Sequence, residues 1–73
     1  MPTLRQLREE AVLTQAELAQ QVGVSVTAIS HWETGKKGPR ASNIRSLAKA
    51  FGVSPQEVLA AIRETQSSQK QQP

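Results

Sequence analysis

Apolar residues recur at helical spacing in five short segments, and no segment reads as a strand. Leu4, Leu7 and Ala11 stand at i, i+3 and i+7, behind a Thr3–Gln6 pair that reads as a capping box. Val12 and Leu13 close that segment. Thr14 and Glu17 form a second capping box, which opens a helix with Leu18, Ala19 and Val22 on its buried face. Gly23 follows at once, and glycine is the usual residue where a helix ends with positive φ.

Ser25 offers a hydroxyl cap to a third helix. Here the two faces separate. Ala28, Ile29 and Trp32 share one side, while Val26, Thr27, Ser30 and His31 fall on the other. Gly35 ends the helix and GKKGP, residues 35–39, reads as a loop. A fourth helix is predicted from about Arg40 to Ala50, with Ile44, Leu47, Ala48 and Phe51 inward, and Gly52 ends it. Ser54, Pro55 and Glu57 then give a third capping box, and Val58, Leu59 and Ile62 supply the apolar face of the last helix. The prediction is an all-α bundle of five short helices in one domain, residues 1–63, followed by a disordered Gln/Ser-rich tail, residues 64–73. Helices below about 12–15 residues are marginal alone in water, so the fold must come from mutual packing.

Composition narrows the chemistry. With 73 residues there is room for one small domain, which buries only about 60% of its unfolded surface. No cysteine is present, so no disulfide or thiolate metal site is expected. No stretch approaches the ~18 apolar residues of a membrane span, and MPTLRQLREE has no apolar leader core. The expected compartment is therefore cytoplasmic. The net charge is only +3, but it is unevenly placed. Residues 36–49 hold Lys36, Lys37, Arg40, Arg45 and Lys49 without one acid. Such clustering favours a polyanionic partner.

Two short helices joined by a tight glycine turn cross steeply, and the second keeps one face on the core while presenting the other. A helix presented in this way fits the B-DNA major groove, about 12 Å wide. The residues that form this pair resemble a known family. Gln15, Leu18, Ala19, Val22, Gly23, Val24, Ile29 and Trp32 match the helix-turn-helix pattern of the Cro and phage-repressor type of transcriptional regulators. The later LAKAFGVSP also looks like that family's fourth helix and its following turn.

The resemblance implies a lambda-repressor-like domain that binds double-stranded DNA sequence-specifically, usually as a homodimer and most often as a repressor. Its reading helix would lie at about residues 25–34. It puts Arg8 and Glu33 at the positions of a partly buried ion pair, and Gln15 at that of a DNA-backbone contact. Val26, Thr27, Ser30 and His31 fall on positions that face base edges. Lys36, Lys37 and Arg40 fall in the loop that follows the adjacent backbone. Where relatives often carry glutamine or arginine, this chain has Val26 and Thr27, whose methyl groups suit thymine C5-methyl contacts.

Other functions are weaker on the same residues. Trp32 shares a face with Ala28 and Ile29, which makes it a core residue. His31 is the one histidine, too few for a metal site with Glu33 beside it. There is no aspartate, no cysteine and no glycine-rich phosphate loop, so an enzyme is not expected. No cofactor or small-molecule ligand is evident. The competing reading is a protein-interaction module of the same fold, such as an antitoxin subunit or a co-regulator, for which the basic loop would be unnecessary.

Overall fold

The computed structural model describes residues 2–70. Five helices follow one another: α1 (Leu4–Glu10), α2 (Gln15–Val22), α3 (Val26–Thr34), α4 (Ala41–Phe51) and α5 (Pro55–Lys70). No strand occurs among the described residues.

Local chemistry sets the helix starts. Thr3 Oγ1 accepts from the Gln6 amide at 3.2 Å while Gln6 Oε1 accepts from the Thr3 amide at 2.8 Å. Thr14 and Glu17 repeat this exchange at 3.0 and 2.9 Å. Each exchange satisfies two backbone donors that the first helical turn would otherwise leave open. Ser25 Oγ accepts from Ala28 N at 3.1 Å, and Ser54 Oγ from Glu57 N at 3.2 Å. Arg40 caps α4 by backbone alone, with no side-chain bond.

Gly23 takes φ +83°, and both its amide and that of Val24 donate to Ala19 O, at 2.8 and 3.0 Å. This left-handed residue turns the chain sharply from α2 into α3. A side chain there is strained even though space is open around it.

The centre is built evenly. Leu18, Ile29, Leu47 and Val58 are the largest fully buried side chains, one each from α2, α3, α4 and α5. Leu4 and Leu7 of α1 join them, with Trp32, Ala19, Ala48 and Ala61. Trp32 thus sits in the core, as its spacing predicts.

The structure differs from the sequence reading in two details of α5. The last helix does not stop at residue 63: α5 continues to Lys70, and residues 71–73 lie outside the described part. Thr65 explains the extension. It is buried, its hydroxyl donates to Ala61 O at 2.9 Å, and it accepts from Leu4 N at 3.2 Å, which latches α5 to α1. Neither glycine nor proline occurs between residues 64 and 70 to stop the helix, and glutamine is a good helix former. Leu59 is not part of the buried face. The inward stripe of α5 is Val58, Ala61 and Thr65, with Ile62 packed at its side, and Leu59 remains 39% exposed.

Val12, between α1 and α2, has φ +58° and is 86% exposed. No periodicity argument predicts a β-branched residue in that conformation. Among the described residues no helix is long and apolar enough to cross a membrane.

Candidate nucleic-acid interface

At 3.6 residues per turn, positions 26, 27, 30, 31 and 34 of α3 fall within one side and 28, 29, 32 and 33 within the other. The burial follows this division. Ile29 and Trp32 are in the core and Ala28 packs against it. Val26 and Thr27 are exposed in the first turn, and Ser30 and His31 are half-buried in the second. Thr34 belongs to the same outer face, and the sequence reading passed over it. The periodicity that found the other four residues puts Thr34 near the middle of the face. Its hydroxyl folds back to Ser30 O at 3.0 Å and His31 O at 3.3 Å.

The loop after α3 is held by the helix it leaves. Lys36 and Lys37 donate their amides to His31 O at 2.9 and 3.3 Å, while both side chains are exposed. Their backbone position is therefore fixed relative to the outer face of α3. Arg40 is exposed as well, and its guanidinium takes no part in capping α4.

Behind the outer face lies an ionic knot. Arg8 Nε donates to Glu33 Oε2 and Arg8 Nη2 to Glu33 Oε1, the latter at 3.2 Å, while Nη1 reaches Leu13 O at 2.9 Å. The two side chains are 13% and 6% exposed. Gln15 Nε2 also donates to Glu33 Oε1, at 3.0 Å. One carboxylate thus receives donors from α1 and α2 while belonging to α3, so it fixes the start of α2 against the end of α3. The hydrogen bond to Glu33 raises the Arg8 guanidinium above its usual value; burial pulls it down, and the charges of Glu33 and Glu9 add to the rise.

The structure therefore brings Arg8, Glu33 and Gln15 into contact. It sets Val26, Thr27, Ser30 and His31 on one helix face, with Lys36 and Lys37 bonded through their backbone to its end. Gln15 spends one amide proton on Glu33, a bond that spacing alone did not reveal. A groove opens beside this knot, bounded by Arg5 of α1, the cap residue Thr14, Gln15 and Ala16 of α2, and Val26 and Thr34 of α3. Arg5, which the sequence reading does not place in the site, precedes Arg8 by one turn on the same side of α1. Among the described residues no group of His, Cys, Asp or Glu is placed to hold a metal ion.

Comparison with known proteins gives consistent matches. The family pattern described as Helix-turn-helix matches residues 4–58. The HTH-type transcriptional activator BcrR of Enterococcus faecalis is 46% identical over 57 residues, 78% of this chain and 28% of that protein. Repressor protein C2 of Salmonella phage P22 is 39% identical over 56 residues, 77% of this chain and 26% of that protein. The HTH-type transcriptional repressor RghR of Bacillus subtilis (strain 168) is 47% identical over 51 residues, 68% of this chain and 38% of that protein. The chain thus spans well under half the length of each of these relatives.

Proposed function

The chain belongs to the helix-turn-helix family of the Cro and phage-repressor type, and on that premise we propose that it binds double-stranded DNA sequence-specifically as a transcriptional regulator. The observation that carries the reading is the outer face of α3, with exposed Val26 and Thr27, joined through His31 O to the loop of Lys36 and Lys37. One surface offers groups for base edges beside groups for phosphates, which is the division of labour that DNA recognition requires. Val26 and Thr27 contact thymine methyls, and Ser30 and His31 take polar base or backbone positions. Lys36, Lys37 and Arg40 neutralise phosphates. Gln15 uses its remaining amide proton on the backbone near the start of α2.

One reading helix covers few base pairs, so the chain acts as a homodimer on two half-sites, with exposed Leu59 on α5 at the contact between protomers. The role is repression in the cytoplasm, by occupation of a promoter site. This reading includes no catalytic step.

Selection of binding sites from random duplexes tests the proposal, followed by titration of the selected site against salt. Lys36→Ala and Lys37→Ala are expected to weaken every duplex alike and to make the slope of log affinity against log salt shallower by about 0.9 per lost contact. Val26→Ala and Thr27→Ala are expected to leave the slope unchanged and to cost roughly 1–3 kcal/mol at particular base pairs. For Val26, replacing the contacted thymine by uracil should reproduce the loss. Equal affinity for all duplexes, untouched by the face substitutions, would overturn the reading and direct the search to protein partners.

A further inference from the structure

Arg8 is neutralised inside the fold, but Arg5 is not. Arg5 borders the groove that holds Gln15 of α2 and Val26 and Thr34 of α3. Its Nε donates to Glu9 Oε2 at 3.3 Å, one turn along the same helix, and the two side chains are 68% and 53% exposed. Glu9 also borders a different surface of α1, together with Gln6 and Glu10. Arg5 therefore stands at the edge of the groove while an acid draws it toward the other side.

That restraint is weak. An exposed pair of this kind holds its partners together by a factor of roughly 1.4 to 5. A phosphate offers a guanidinium a stronger, bidentate alternative. In the DNA-binding reading above, Gln15 meets the backbone near the start of α2, and Arg5 borders the groove that Gln15 lines.

We infer that Arg5 exchanges Glu9 for a DNA phosphate on binding, so that α1 supplies a backbone contact and Glu9 acts as its internal competitor. The inference rests on the DNA-binding reading above. Removing an acid that touches no DNA should therefore strengthen binding, and only through Arg5.

The test measures salt-dependent binding to the selected duplex and to a random duplex for Arg5→Ala, Glu9→Gln and the double variant, with Lys36→Ala as reference. Arg5→Ala should make the salt slope shallower by about 0.9, so that raising salt from 50 to 200 mM loses a factor of roughly 3.5 less affinity. Both duplexes should respond alike, since a phosphate contact carries no sequence information. Arg5→Lys should retain the slope, which separates loss of charge from loss of fold. Glu9→Gln should raise affinity by a factor of roughly 1.4 to 5, and this gain should vanish in the Arg5→Ala background. A gain that persists without Arg5, as a simple charge effect would, overturns the exchange. So does an unchanged slope for Arg5→Ala while Lys36→Ala makes it shallower; that outcome leaves the DNA-binding reading intact. If neither the parent chain nor Lys36→Ala binds any duplex, the DNA-binding reading fails and the exchange falls with it.

Discussion

Val12 holds φ +58° with its side chain almost wholly in solvent. The left-handed region costs an L-residue roughly 1–2 kcal/mol, and branching at Cβ makes the fit worse. Nothing is recovered by burial. Val12→Gly is therefore expected to stabilise the domain by about 1 kcal/mol, after allowing for the greater freedom of glycine in the unfolded chain. Thermal unfolding should show a rise of about 4–8 °C for each kcal/mol in a domain of this size. A lower midpoint would mean that the valine makes a contribution its exposure hides. Arg8 is the opposite case, a residue whose worth lies in its contacts. Arg8→Ala leaves the nearly buried Glu33 with the Gln15 amide alone, and breaking a buried pair costs about 3–5 kcal/mol. Replacing Arg8 and Glu33 together by methionine should cost clearly less, as denaturant titration of the three proteins would reveal. Because the Arg8 pKa is raised on folding, its share of stability is complete below the ordinary guanidinium range and is lost only as pH rises through the folded value. Alkaline solutions short of that range should leave the tie intact.

At the scale of the helix, caps and periodicity made most of the structure legible. Thr3–Gln6 and Thr14–Glu17 form the reciprocal bonds that their spacing suggests, and the inner and outer faces of α3 divide where a helical repeat divides them. The candidate site was legible only as far as it lay on one regular element. The bond from Gln15 to Glu33 joins residues 18 positions apart on separate helices, and no local pattern encodes it. The reach of α5 escaped for a related reason. A polar run of glutamine and serine has no period of its own, and only the distant Leu4 amide gives Thr65 its buried role. Thr65→Val keeps the shape and removes the acceptor, so it should cost roughly 1–3 kcal/mol. Hydrogen exchange should then accelerate at the Leu4 amide and along the end of α5. A chain cut after residue 63 should lose at least as much, whereas a disordered tail would be removed without effect.

For the whole molecule, the proposed homodimer would decide how much specificity one short helix can deliver. Leu59 is exposed and off the core stripe, so Leu59→Lys should leave unfolding unchanged while weakening cooperative binding to a duplex with two half-sites about 34–36 Å apart. Binding to a single half-site should be unaffected. Sedimentation of the protein with each duplex would separate the two effects. Equal binding by parent and variant to the paired site would remove Leu59 from the protomer contact. The latch between Leu4 and Thr65 has a kinetic meaning as well. It joins positions 61 apart, whereas α2 packs on α3 and α4 on α5 across turns of a few residues. Loop closure makes distant contacts late to form, since their entropy must be lost before they return any stability. The adjacent pairs would then define the transition state, and the latch would close after it. Thr65→Val should accordingly speed unfolding and leave the refolding rate almost unchanged, a φ-value near zero. The latch would thus govern how long the folded molecule lasts, while the glycine turns and caps govern how quickly it is made.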